Sequence, residues 1–203
     1  MVDYADVKDG GCESGAITIS PTHSTDSGNN DSCWSFYVPQ ITFGMSGNAA
    51  DLGVLTPAQS QYATPGPGSG GSTSQVEAHN FTVTDNSPNG YSVSVIGASL
   101  TDITSGHIIT PIGGTNTSPS PGTEQFGLRI NASGDPSGTV SPPYADAGFA
   151  YAADGSTSSQ VCSASTGSGV ATIYSVRYLS NVSATTGAGV YRTTLTYLVT
   201  GNF

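Results

Sequence analysis

Few residues in this chain are of types that do chemistry, and they are scattered. His23, His79 and His107 stand in unrelated contexts. There is no GxSxG elbow, no HExxH and no phosphate-cradling P-loop. A glycosidase needs two carboxylates at a fixed separation, but 14 acids always allow some pair, so that pattern carries no weight. Asp3, Asp6 and Asp9 recur every three residues ahead of Gly10-Gly11. Hard cations want several oxygen ligands, so this run is a loose calcium candidate; it lacks EF-hand spacing, and a solvated acidic stretch is the plainer reading. Trp34, Phe36 and Tyr37 are candidate platforms for stacking on a sugar, although a lone tryptophan is most often a core residue. The expectation is a noncatalytic protein with no cofactor.

Three cysteines, Cys12, Cys33 and Cys162, leave one unpaired in any intramolecular scheme. Cys12 and Cys33 bracket a polar loop, and a bridge between them would pin the N-terminal region. Cys162 is then a buried thiol; pairing with either of the others or across subunits are the alternatives. No CxxC pair is present, which argues against a zinc site or a redox motif.

Charge excludes whole classes of partner. The basic inventory is Lys8, Arg129, Arg177 and Arg192, against 14 acids, for a net charge of −10. Nucleic acid is bound by replacing phosphate counterions with Lys and Arg, so this chain repels it, and anionic lipid as well. The scarcity of lysine also rules out Lys–Asn isopeptide locking as a general device. No apolar run is long enough for a transmembrane helix. The opening residues VDYADVKDGG are acidic and carry no signal segment, so the expected form is extracellular, mature or recombinant, with a signal removed.

The elements that position these residues read as strands. Gly189–Phe203 is the longest alternating run: Tyr191, Leu195, Tyr197 and Val199 on one side, Arg192, Thr194, Thr196 and Thr200 on the other. This strand is expected to close a sheet, its own or a neighbour's. Further candidates are Cys33–Val38, Ile41–Met45, His107–Thr110, Glu124–Ile130, Phe149–Tyr151, Val161–Ser163 and Val170–Leu179. Val76–Asp85 and Tyr91–Ile96 flank Asn89-Gly90, a hairpin signal because both residues tolerate positive φ. Pro/Gly/Ser stretches at Thr64–Ser74 and Pro111–Thr123 read as surface loops. No window has helical periodicity. The predicted fold is all-β, an antiparallel β-sandwich of Greek-key, Ig-like or jelly-roll type over residues 40–203, with an irregular N-terminal arm over 1–39. The arm contains one short strand candidate, Ala16-Ile17-Thr18-Ile19-Ser20.

The order DLGVL, NFTVTDNSPNGYSVSVIGASLT, PGTEQFGLRI and YSVRYLSNVSATTGAGVYRTTLTYLVTGNF resembles bacterial surface domains related to the WxL group. The matching aromatic-x-aliphatic triplets are Tyr91-Ser92-Val93 and Tyr197-Leu198-Val199, the second preceded by Ala188-Gly189-Val190-Tyr191. Tyr stands for Trp and Val for Leu in both, so the chain looks closer to a divergent class of secreted, fibre-like surface proteins of small uncultured bacteria. The resemblance implies a noncatalytic cell-surface sandwich, with cell-wall glycan a possible partner. Taken with the arm, the expectation is a subunit of a surface fibre or layer that self-assembles, the strand Ala16–Ser20 adding to a neighbour's sheet edge. An adhesin or carbohydrate-binding module is the alternative.

Overall fold

The computed structural model describes residues 6–8, 10–12, 19, 24–35, 38–145, 147–152 and 155–203. The chain divides into two units, Met1–Pro39 and Gln40–Phe203.

The N-terminal unit is tied by polar groups. Strands β1 (Asp6–Val7) and β2 (Thr25–Asp26) pair in parallel. Cys12 and Cys33 form a disulfide with their Cα atoms 6.0 Å apart. The Asn30 side chain donates to the Val7 carbonyl at 3.1 Å and to Asp26 Oδ1 at 2.7 Å, and accepts from the Gly10 N–H at 2.7 Å. Of the calcium candidate, Asp3 and Asp9 lie outside the described residues, and the Asp6 carboxylate accepts a hydrogen bond from Ser27. Among the described residues no three His, Cys, Asp or Glu side chains come together as a metal site. Ala16, Ile17, Thr18 and Ser20 of the donor-strand candidate also lie outside the described residues, as do Phe36 and Tyr37. Ile19 makes an isolated parallel bridge with half-buried Trp34, and the middle of the strand expected over Cys33–Val38 lies outside the described residues.

The C-terminal unit is an all-β sandwich, and every strand pair in it is antiparallel. In chain order its strands begin β3 (Ile41–Met45), β4 (Ala50–Asp51), β5 (Gln61–Tyr62), β6 (Thr64–Pro65), β7 (His79–Asp85) and β8 (Tyr91–Ile96). There follow β9 (Thr101–Asp102), β10 (Gly113–Thr117), β11 (Gln125–Gly134), β12 (Gly138–Val140) and β13 (Phe149–Tyr151). The last are β14 (Ser159–Ala164), β15 (Ala171–Asn181), β16 (Tyr191–Arg192) and β17 (Thr196–Gly201). The larger sheet has the order β10-β13-β11-β15-β7-β3, with β5 also on β15; the smaller has β12-β14-β8-β17. No helix occurs among the described residues.

Period-2 patterning explains the two layers. Along β7 and β8 buried and half-buried residues alternate without a break, so each strand presents one apolar face. The larger sheet contributes Phe81, Val83, Leu128, Ile130, Tyr174 and Val176 to the core. The smaller contributes Val93, Val95, Cys162 and Ala164. Burying each large side chain contributes about 1.5–3 kcal/mol.

Three sequence expectations are corrected. β7 and β8 are not a hairpin: β7 pairs with β15 and β3, and β8 with β14 and β17. A two-residue hairpin turn of the Asn-Gly kind needs positive φ at both residues, and only Gly90 has it, at +67°. A Cβ at Gly90 would also lie 2.0 Å from the Ala164 carbonyl oxygen. The connection instead folds around buried Asp85, whose carboxylate accepts from the Ser87 N–H at 3.2 Å and the Ser87 hydroxyl at 2.7 Å. The crossing sets the two apolar faces against each other across the core, where a hairpin would leave them side by side. Second, the closing run is not one strand. β16 pairs with β9, residues 193–195 break away, and β17 then pairs with β8. Third, β10 forms inside the stretch read as a loop, while the His107–Thr110 segment contributes only a bridge from Ile108 to Thr101.

Two measurements follow. Leu128 is fully buried at the middle of the core, so Leu128→Ala should lower the free energy of unfolding by about 2–5 kcal/mol in urea titration. Cys162 is unpaired and buried, and burial pushes its thiol pKa up, so it is inert in the native state. A thiol-reactive dye should therefore find no thiol in native protein, one in unreduced denatured protein, and all 3 cysteines only after reduction.

Candidate assembly edge

The two aromatic-x-aliphatic triplets meet in space. β8 and β17 are neighbours in the smaller sheet, with Val93 opposite Val199, Val95 opposite Tyr197 and Tyr91 opposite Gly201. Tyr91 and Val93 are buried, and half-buried Tyr197 and Val199 pack on the core beside them. The triplets are therefore the inward faces of adjacent strands.

The approach to β17 is set by a carboxylate. Asp102 accepts from the Val190 N–H at 3.0 Å and from the Ser105 N–H at 2.7 Å. A Cβ on Gly189 would lie 2.2 Å from Asp102 Oδ1, so the Ala-Gly-Val-Tyr run needs glycine for this close approach. These contacts seat β16 on β9, and the chain then passes into β17.

β17 is an edge strand. Among the described residues it pairs with β8 on one side and with no strand on the other. Its position over the larger sheet is fixed by ring contacts: Tyr197 lies 5.1 Å from Phe81 and 5.8 Å from His79, both on β7. The larger sheet continues past β7 to β3, but the smaller sheet stops at β17. Register places Ile41, Phe43 and Met45 opposite Asp85, Val83 and Phe81, hence on the same inner face. Phe81 and Val83 are fully buried, whereas Phe43 is 39% and Met45 41% exposed. Among the described residues no further strand lies beyond β17 in the smaller sheet.

Under the edge runs a buried chain of polar tips. The Tyr197 and Tyr178 hydroxyls are 2.8 Å apart, and the Tyr178 hydroxyl is 2.9 Å from His79 Nε2. Burial raises the pKa of both tyrosines, so they stay protonated donors. His79 Nδ1 is buried and has no hydrogen-bond partner. A cleft of about 1140 Å³ opens here, lined by Met45, Leu55, His79, Tyr178, Leu195 and Tyr197 among others.

Away from this edge, His107 Nε2 lies 2.8 Å from Glu124 Oε1, which also accepts from the Thr186 hydroxyl at 2.6 Å. Burial opposes ionisation of Glu124, but the bonds from Thr186 and His107 outweigh it and lower its pKa. The arrangement ties three loops together. Among the described residues no serine hydroxyl or cysteine thiol is hydrogen-bonded to the His107 ring; Ser105 Oγ accepts only from the His107 backbone N–H.

Sequence reasoning found the triplets and the disulfide but missed His79, Tyr178, Phe43 and Met45 as one site. His79 and Tyr178 do occupy inward positions of alternating runs; what the sequence lacks is any sign that strands ninety-nine residues apart in the chain would adjoin. Comparison with family models, with curated proteins and with solved structures finds no match to this chain.

His79 gives the edge a pH signature. Burial holds its pKa below the usual 6.5, and the Asn80 backbone and the Glu77 charge offset this only in part. The unfolded chain binds the proton that the folded chain refuses. Stability is therefore full above about pH 6.5 and falls as the pH drops below it, by at most about 1.4 kcal/mol per pH unit. Urea titrations between about pH 5 and 8 should show this slope, and His79→Gln should flatten it.

Proposed function

We propose that this chain is a noncatalytic extracellular structural protein, a subunit of a cell-surface fibre, pilus-like filament or surface layer, assembled by β-strand complementation. The observation that carries the reading is the missing strand: a free β17 edge beside an uncovered apolar inner face on β3. An unpaired edge is a template for another chain, and monomeric proteins blunt such edges with lysine, proline or a covering loop. β17 carries none of the first two, reading Thr-Tyr-Leu-Val-Thr-Gly.

Composition supports the same reading. The Cys12–Cys33 disulfide suits an oxidising compartment. Only 9% of residues are charged, and the acids serve turns: Asp51, for example, accepts from the N–H groups of Gly70 and Gly53 and has its pKa lowered by them. The likeness of the triplets to WxL-related surface domains agrees with a place on a bacterial cell surface.

Negative-stain microscopy of the full-length protein should show filaments or a lattice. Removing residues 1–32 should leave a folded monomer, because the complementing strand lies there. Polymers unchanged by the deletion would sink the role of that segment. A full-length protein that stays monomeric and binds peptidoglycan would replace the reading with a wall-binding module.

A further inference from the structure

We infer that the place of the missing strand is an acceptor groove for residues Ala16–Ser20 of a second copy of this chain, which pair with the free edge of β17 and lay Ile17 and Ile19 over Phe43 and Met45. The inference rests on the assembly reading above and adds which surface and which segment meet.

The groove has the form of a strand. Neighbouring strands lie about 4.8 Å apart and facing sheets about 10 Å apart. A strand added at that distance beside β17 has β3 opposite it, as β17 has β7. Ile41, Phe43 and Met45 repeat every second residue along β3, so the surface asks for apolar side chains at the same period. Phe43 and Met45 are 39% and 41% exposed in the single chain, so this face keeps apolar area for an occupant to cover.

The occupant follows from charge and pattern. Between two copies of net charge −10, a contact segment that adds no acid avoids local repulsion. Ala16–Ser20 is free of charge, and its two isoleucines alternate with small polar residues. That phase sends Ile17 and Ile19 to the groove and Ala16, Thr18 and Ser20 to the outside. Ile19, the one described residue of the segment, donates to the Cys33 carbonyl at 2.6 Å and accepts from the Ser35 N–H at 2.9 Å, bonds that the exchange must replace. The β17 edge, 6 residues long, offers a ladder in their place.

The test uses full-length variants, each checked for a cooperative thermal transition, with sedimentation and microscopy as readouts. Met45→Asp damages the groove, and Ile17→Asp damages the donor phase. Ile173, 40% exposed on the opposite face of the larger sheet, is the control for Met45, and Thr18→Asp is the out-of-phase control for Ile17. Met45→Asp and Ile17→Asp should each abolish polymers, while Ile173→Asp and Thr18→Asp polymerise like wild type. Mixing Met45→Asp with Ile17→Asp should give a one-to-one pair that grows no further, since one intact donor meets one intact groove. Misfolded variants could not form that pair. Polymers from Met45→Asp equal to those from Ile173→Asp, equal loss from Thr18→Asp and Ile17→Asp, or no pair in the mixture would each overturn the groove and leave the assembly reading standing. A wild-type chain that forms no polymer would overturn both.

Discussion

The constraint on which the sandwich depends is that tyrosine tips buried between its sheets must find one another. Tyr91 and Tyr174 meet hydroxyl to hydroxyl at 2.8 Å, and Tyr197, Tyr178 and His79 form the second chain. The Tyr91–Tyr174 and Tyr197–Tyr178 contacts join the smaller sheet to the larger, and His79 continues the second chain within the larger sheet. An unmatched buried hydroxyl costs more than a made bond gains, so these pairs penalise any slip of one sheet over the other. Alternating apolar faces drive the sheets together, and the tyrosine pairs set where they come to rest.

That division of labour explains what was legible in the sequence. The period-2 runs at β7, β8, β11 and β15 are dense in β-branched and aromatic residues, so strand identity and the all-β class could be read directly. The Cys12–Cys33 bridge was legible as the pairing that brackets a polar loop. Sheet membership was not. Asn89-Gly90 is a good local hairpin signal, yet tertiary contacts decided against it: the Ala164 carbonyl stands against Gly90, and the Asp85 and Ser87 carbonyls accept from the N–H groups of Gly169 and Gly167. The closing run failed as one strand for a similar reason: Asp102, eighty-eight residues before Val190, holds that residue on another ribbon before β17 begins. Edge status was invisible too, because Phe43 and Met45 alternate just as core residues do. Only the extent of the facing sheet separates them from Phe81.

The acids illustrate how an acidic chain can lack acid chemistry. Asp85, Asp102 and Asp135 spend their oxygens on nearby N–H and hydroxyl groups that turn the backbone. The hydroxyl of Ser168 and the N–H of Ser137 lower the Asp135 pKa in this way. The Asp102 and Asp135 carboxylates stay ionised because the loop closes around the charge. Gly and Ser supply the donors, which is why long Gly/Ser loops coexist here with a rigid core.

The register of β17 on β8 has a kinetic corollary. Every residue from Thr196 to Gly201 is already paired on one side, so its backbone is extended before anything arrives at the other. Ordering a residue costs about 1–2 kcal/mol of backbone entropy. For any extended segment that joins this edge, that cost falls on the newcomer alone. The edge is preorganised, and additions to it escape the slow nucleation that two disordered segments face when they must find a common register.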